Sequence, residues 1–379
     1  MALVLNEEQN LLKHSAQAFF MEKAPVSALR ALRDQNDEDG FSRELWQEMV
    51  QLGWTGTFLP EQYGGLNCGL TELGVVLQAS GRTLAASPLI STAVLGASAV
   101  LLAGNEEQKA AVLPSVITGD RLLALALEEG PRHAPTTIAT RASEQDGSYV
   151  LTGTKKHVLD GHVADQFIVV ARSSGELTDE QGISLFLVDS NANGIAVSRR
   201  SMIDSRNMAD VEFDGVTVPA ENLLGELGGG YSVVNQVVDR GNIALAAEML
   251  GSQQAAFERI LDFLKQREQF GEVIGTFQAL QHRASHMFCE IEMSKSVVLQ
   301  ALRSVDEQAD NVSLMASLAK AQVSETFRLV SDEAIQMFGG IGMTDEEEVG
   351  FFLKRARVAV QTLGDENYHV QRYASLRGY

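Results

Sequence analysis

The apolar residues of this chain change period twice, from helical to strand-like and back, and that order limits the folds open to it more than any single motif does. From Asn6 to Asp34 they recur at three and four (Leu11, Leu12, Ala16, Phe19, Phe20), behind Asn6-Glu7-Glu8, which supplies a capping side chain and first-turn acids. This predicts an amphipathic helix. A second helical run, Phe41 to Leu52, stops at Gly53, and Pro60-Glu61-Gln62-Tyr63-Gly64-Gly65 is loop chemistry, since adjacent glycines supply backbone angles that other residues avoid. Helices resume from Thr71 to about Gly119, broken at Pro88 and near Gly104. Residues 1–120 therefore read as an α-helical domain.

At Arg121 the pattern changes. Tyr149 to Val158, Gln166 to Ala171, Ile183 to Val188, Ile195 to Arg199 and Asp210 to Val218 are short β-branched or aromatic runs, parted by Asp-Gly, Ser-Gly and Asn-Ala-Asn-Gly turns. Residues 121–228 read as a middle antiparallel β-domain. Pro219 to Gly225 leads into Gly228-Gly229-Gly230, after which helical periodicity persists to the end. Four stretches separate there, Tyr231 to Gln269, Thr276 to Val305, Val312 to Phe338 and Glu346 to Ser375. Their lengths and short polar breaks predict a C-terminal four-helix bundle over 229–379. The fold class is α+β, in the order helical, β, helical.

Charge narrows the partners. The 379 residues hold 30 Lys+Arg against 50 Asp+Glu, a formal net charge of −20. Such a field repels polyanions at long range, which argues against nucleic-acid or anionic-membrane binding. Cys68 and Cys289 are far apart and lie in no CxxC or Cys/His pattern, so neither a disulfide framework nor a zinc site is expected, and a reduced, cytoplasmic setting fits. Met1 to Asn10 is acidic and lacks the apolar stretch of a secretory signal. The longest apolar region, Leu89 to Leu102, is interrupted by Ser91, Thr92, Gly96 and Ser98 and is too short for the roughly 20 residues of a membrane span.

Several motifs invite chemistry and have plainer readings. Gly339-Gly340-Ile341-Gly342 follows a helical run and lacks the dinucleotide spacing, so on its own it reads as a helix C-terminal cap. Gly228 to Gly230 reads as a linker. His282 and His286 stand one turn apart without an intervening Glu or a third ligand, so no metal is expected. His157 is a lone histidine in a strand, and no G-x-S-x-G elbow occurs. Asp345-Glu346-Glu347-Glu348 reads as the solvated first turn of the last helix. Lys155-Lys156 and Arg199-Arg200 are either solvated surface or local phosphate holders.

Together these phrases resemble the acyl-CoA dehydrogenase family, over nearly the whole chain. Leu45-Trp46 with Gly53 and Pro60 to Gly65 is similar to the family's N-terminal domain, and Val218-Pro219 through Asn222-Leu223-Leu224-Gly225-Glu226 to its exit from the β-domain. Arg267-Glu268-Gln269-Phe270-Gly271 with Phe277-Gln278-Ala279-Leu280-Gln281 resembles the loop between the first two C-terminal helices. Gln336-Met337-Phe338-Gly339-Gly340-Ile341-Gly342 resembles the turn before the last helix.

The resemblance implies an FAD flavoprotein, usually a tetramer, in which a carboxylate removes the α-proton of an acyl-CoA thioester. The β-hydrogen leaves as hydride to the flavin, and the electrons pass to an electron-transfer flavoprotein. It places FAD diphosphate and adenine against Arg267, Gln269, Phe270, Gln336, Gly339 and Gly340, and the acyl-CoA near Asp239 and Arg240.

The chain also departs from the family pattern. Counting from Gln336, the usual catalytic Glu falls on Leu363, followed by Gly364-Asp365, and the alternative base position falls on Gly241. The segment that meets the flavin ring reads Glu128-Glu129-Gly130-Pro131-Arg132-His133, and the aromatic-x-Thr motif reads His157-Val158-Leu159. The ring side is eroded while the adenosine side is kept. This resembles the branch of heteromeric bacterial members in which one subunit completes the flavin site of an unlike companion, often in fatty-acid or steroid side-chain degradation. Homo-oligomerisation with Asp365 as a relocated base, and an inactive scaffold without flavin, are the alternatives.

Overall fold

The computed structural model describes residues 3–379; Met1 and Ala2 lie outside the described residues. The run expected over Asn6–Asp34 is two helices, α1 (Glu7–Lys23) and α2 (Val26–Asp34), because Pro25 between them has no N–H for a continuing helix. Asn6 caps α1 in a reciprocal pair with Gln9. Helix α3 (Arg43–Gln51) is capped by Ser42 and ends before Gly53, which is left-handed at φ 77°. Helix α4 (Leu70–Arg82) follows. A π-helical segment, Leu89–Gly96, runs into α5 (Ala97–Ala103), and α6 (Glu106–Ile117) closes the N-terminal third.

The strands are β1 (Leu123–Ala126), β2 (Arg141–Gln145), β3 (Ser148–Leu159), β4 (Gln166–Arg172), β5 (Ile183–Asp189), β6 (Ile195–Ser201), β7 (Asn207–Pro219) and β8 (Leu223–Leu224). They form one sheet in the order β6-β7-β3-β2-β4-β5-β8, with β1 beside β4. Most pairings are antiparallel; β1 joins β4 in parallel. Neither β1 nor β2 is among the runs singled out by pattern. Leu123–Ala126 is uniformly apolar and fully buried, so it carries no alternation, and Arg141–Gln145 is mostly polar. The glycines at 228–230 are more than a linker: Gly230 N–H donates to the Ile183 carbonyl (2.7 Å) and Gly228 N–H to Ser184 Oγ (2.8 Å), docking the segment on β5.

Beyond the sheet come α7 (Tyr231–Gln266), the hairpin β9 (Glu268–Gln269) and β10 (Glu272–Val273), then α8 (Gln278–Asp306), α9 (Val312–Phe338), α10 (Val349–Gln361) and α11 (Glu366–Leu376). The run expected as one helix over Glu346–Ser375 is divided, because Leu363 and Gly364 both take positive φ (56° and 107°).

The described residues form two compact units: a helical one from residues up to Gln35, Gly69–Ala85 and Asn242–Tyr379, and a sheet-bearing one from Asn36–Cys68 and Ala86–Gly241. In the helical unit α4 and the 242–266 portion of α7 cross at glycines. A Cβ on Gly81 would lie 1.9 Å from the Glu248 carbonyl oxygen, and one on Gly251 1.8 Å from that of Gln78. Only glycine permits this backbone contact, and Ser252 Oγ seals it by donating to the Gly81 carbonyl (2.8 Å). Asp306, at the end of α8, caps α4 by accepting from the Leu70 and Thr71 amides (2.5 and 3.1 Å).

The sheet unit packs Leu151, Phe167, Phe186, Val211 and Phe213 in its core. Its organising polar group is Arg172, fully buried at the end of β4. The guanidinium donates to the carbonyls of Thr136, Ile138, Ser174, Leu177, Asp179 and Gln181 at 2.9–3.3 Å, so two loops are tied to one side chain. Arg172→Lys offers at most three donors and strands at least three of these carbonyls. At roughly 1 kcal/mol per unmade bond, stability should fall by about 3 kcal/mol, read as a lower urea midpoint.

Candidate functional site

The Arg267 hairpin is built by its turn. Phe270 (φ 58°) and Gly271 (φ 83°) form a two-residue connection with both backbones left-handed, the geometry that matches strand twist in a tight hairpin. The Ile274 amide closes it on the Arg267 carbonyl (2.8 Å). Phenylalanine disfavours positive φ, and here its ring is also 92% exposed, touching Phe277 edge-on. Arg267 and Gln269 are exposed as well, and the Arg267 side chain makes no hydrogen bond or ion pair among the described residues.

Phe263 near the end of α7 stacks on Phe338 at the end of α9, with centroids 4.2 Å apart and planes 16° apart. This contact brings the hairpin root and the glycine turn to the same end of the helical unit. Gln336 is exposed there. Gly339 (φ 64°) and Gly340 are exposed too, with no atom within 4 Å of a built Cβ, whereas a Cβ on Gly342 would meet Phe338 at 2.9 Å. Gly342 thus serves packing, while Gly339 and Gly340 leave open space against bare backbone. An exposed guanidinium and such glycines at one end of the unit suit a diphosphate, which takes forked N–H donors and close amide approach.

The acidic run after this turn is a strap. Asp345 accepts from Arg30 and Arg33 (2.6 Å each), and Glu348 from Arg259 (2.6 Å). Arg30 and Arg33 also lie over the Phe351 ring at 4.7 and 5.0 Å. The Arg33 hydrogen bonds hold the Asp345 carboxyl down at about 2. The expectation of a solvated first turn is corrected: α10 starts only at Val349, and two of the four acids are tied to arginines distant in sequence.

The turn holding Leu363 and Asp365 is set by buried groups. Leu363 at φ 56° costs about 1–3 kcal/mol of backbone strain. His369, fully buried, shares a hydrogen bond with the Leu363 carbonyl (Nε2 to O, 3.0 Å). Lys320, also fully buried on α9, donates through Nζ to the carbonyls of Val360 (3.0 Å) and Gly364 (2.8 Å). Asp365 caps α11 by accepting from the Tyr368 amide (2.8 Å). In the sequence Lys320 is marked only as a lone lysine one turn from both Ala316 and Val323 on a buried helix face.

In the sheet unit, Glu129 accepts from Lys155 (2.6 Å) and from the Ala139 and Thr140 amides (2.6 and 3.0 Å), and Lys155 also donates to the Leu127 carbonyl (3.1 Å). Burial pushes the Glu129 carboxyl up, but Lys155 and these donors outweigh it and leave it below its ordinary value. Glu128 pairs with the His133 imidazole. His157 sits at φ 52° in a bulge of β3, and Val158 and Leu159 behind it are buried. The basic pairs resolve into structure: Lys155 is buried, Arg199 donates to the Asp37 and Glu38 carbonyls and to Asn207, and Arg200 pairs with Asp210. Asp239 is buried on α7, and Arg240 reaches Ser98 Oγ at 3.4 Å. Gly241 is a buried position of the same helix. His282 and His286 are both exposed, and no cluster of three or more His, Cys, Asp or Glu among the described residues is placed to hold a metal. No described helix is long and apolar enough to cross a membrane.

Family models of the acyl-CoA dehydrogenase N-terminal, middle and C-terminal domains match residues 6–120, 126–216 and 228–375. The chain is 31% identical over 330 residues to the short-chain specific acyl-CoA dehydrogenase of Megasphaera elsdenii, covering 84% of this chain and 85% of that protein. Its structure matches that of butyryl-CoA dehydrogenase from Megasphaera elsdenii with a TM-score of 0.91 and 26% identity, covering 100% of both chains. It matches the ChsE4-ChsE5 complex from Mycobacterium tuberculosis with a TM-score of 0.89 and 26% identity, again over 100% of both chains. The chain therefore belongs to the acyl-CoA dehydrogenase family, a family of FAD-dependent oxidoreductases.

Burial lowers the Lys320 pKa to about 7, and the Asp365 charge only partly opposes this. Between about 7 and its ordinary 10.5 the folded protein binds fewer protons at Lys320 than the unfolded chain does. Its contribution to stability is therefore lost as pH falls through 7 and grows as pH rises above it, by up to about 1.4 kcal/mol per pH unit. Urea unfolding across this window should show that slope in the difference between the wild type and Lys320→Met; identical pH profiles would exclude it.

Proposed function

We propose that this chain is the subunit of an acyl-CoA dehydrogenase that supplies the adenosine side of an FAD site. In this reading an unlike, base-bearing acyl-CoA dehydrogenase subunit completes the α,β-dehydrogenation of an acyl-CoA thioester, and the electrons leave to an electron-transfer flavoprotein. The observation that carries the reading is an asymmetry between two turns. The Arg267 hairpin and the Gly339-Gly340 turn stand exposed and open, while the position of the base is an aliphatic Leu363 and the nearby Asp365 carboxylate is engaged as a helix cap. The match to the ChsE4-ChsE5 complex, an assembly of two named chains, supports an unlike companion.

Bound FAD would supply the hydride acceptor that no side chain provides. The residues of this chain would hold it: Arg267 forks onto the diphosphate, Gly339 and Gly340 present backbone amides, and Gln269, Phe270 and Gln336 bracket the adenine. Asp239 and Arg240 are proposed to order the acyl-CoA. Glu128 with His133, and the aliphatic Val158-Leu159, replace the polar ring contacts expected of a self-sufficient member.

The test is the visible spectrum and acyl-CoA-dependent bleaching of the chain purified alone and co-expressed with its companion. Flavin and turnover should appear only in the complex; full occupancy with rapid turnover in the homo-oligomer would overturn the proposal. Arg267→Ala should weaken FAD binding in the complex by about tenfold or more, the worth of a charge-assisted phosphate contact, and unchanged flavin content would favour a scaffold. Asp365→Asn keeps the helix cap, since Asn caps as well as Asp. Dehydrogenation should therefore persist in that variant, and its abolition would place the base in this chain.

A further inference from the structure

A cavity of about 250 Å³ lies inside the helical unit where α1, α4, α7 and α8 meet, walled in part by the segment Leu3 to Leu5. Its floor is aliphatic, formed by Val75, Leu250, Val298, Leu299 and Leu302. Its rim carries two ammonium groups, Lys13 from α1 and Lys295 from α8, the Glu292 carboxylate, and two amides, Gln78 and Gln254.

The charges at this rim do not balance. Lys295 pairs with Glu292 one turn away, and Arg82, whose field reaches Lys13, pairs with Glu258. Lys13 is half-buried, and its side chain makes no hydrogen bond or ion pair among the described residues. Burial, and then repulsion from Lys295 and Arg82, hold its ammonium below the ordinary lysine range. Glu258 attracts Lys13 through space, but Glu292, the carboxylate that lines the cavity, is taken by Lys295, so one half-buried cation at the cavity is left without a direct partner.

The remaining donor is defined too. Gln78 Nε2 donates to Gln254 Oε1 at 2.8 Å, which orients the Gln254 amide and leaves its nitrogen as a donor on a residue that lines the same cavity as Lys13. Cation, amide donor and aliphatic floor together complement a monoanion with a hydrocarbon tail. At roughly 30 Å³ per water-sized unit, the space holds about eight non-hydrogen atoms.

We infer that this cavity binds a short aliphatic carboxylate of about six carbons, its head on Lys13 and the Gln254 amide and its tail against Leu250, Leu299 and Leu302. The charged head distinguishes the ligand from an acyl thioester, whose carbonyl is neutral. The inference is independent of the function proposed above.

Calorimetric titration of the purified full-length chain with hexanoate tests it, with hexanol and acetate as controls. Hexanoate should bind in about the millimolar range, and each control at least about tenfold more weakly, since one lacks the charge and the other the tail. Lys13→Met and the cavity-filling Leu299→Phe should each weaken hexanoate by about tenfold or more, while Lys13→Arg should retain it; thermal melts of the ligand-free variants check that they fold. Absence of binding at tens of millimolar, equal affinity for hexanol, or binding that survives both Lys13→Met and Leu299→Phe would overturn the assignment.

Discussion

Much of the helical unit depends on the contact of α4 with α7 at Gly81 and Gly251. Each glycine lets the other helix's backbone come where a methyl group would overlap a carbonyl oxygen. That approach draws α4, from the N-terminal third, into the C-terminal helices, and the Asp306 cap on α4 then ties it to α8. With α7 held along this stretch, its far end delivers the Arg267 hairpin, and the Phe263–Phe338 stack aligns that end with α9. A close helix crossing thus fixes where the two exposed loops emerge.

The cations of this acidic chain are largely turned inward or paired. Arg172 and Lys320 are fully buried and bond only to backbone carbonyls; Lys155 is buried against Glu129; Arg199 serves a loop; Arg30, Arg33 and Arg259 hold the acidic strap. Buried carbonyls at turns need donors, and a long cationic side chain reaches several at once. Arg267 and Lys13 are not used in this way: neither side chain makes a hydrogen bond or ion pair among the described residues. Global charge therefore says little about local ligands: a net −20 is compatible with individual cations left without a protein partner.

The segmental order was legible from periodicity, as were most strands and the positions of α3, α8 and α9. What escaped did so for identifiable reasons. Leu123–Ala126 has no alternation because both of its faces are buried. The break between α10 and α11 is hidden because Leu363 is an unlikely residue for positive φ, held there by Lys320 and His369 from outside the turn. The acidic run reads as surface, and the basic pairs as either surface or phosphate holders, because partners such as Arg30 and Arg33 for Asp345 lie far away in sequence.

By itself the sequence determined the helical, β, helical order, the flavoprotein resemblance and the loss of a carboxylate at Leu363, since these depend on local period and on residue identity at a counted position. Only the tertiary structure decided that Asp365 is spent on a helix cap, that Gly339 and Gly340 face open space while Gly342 does not, and that Lys13 lines a cavity with an aliphatic floor. These are matters of which groups from distant segments meet, and no local pattern encodes the distance between side chains that the chain brings together only by folding.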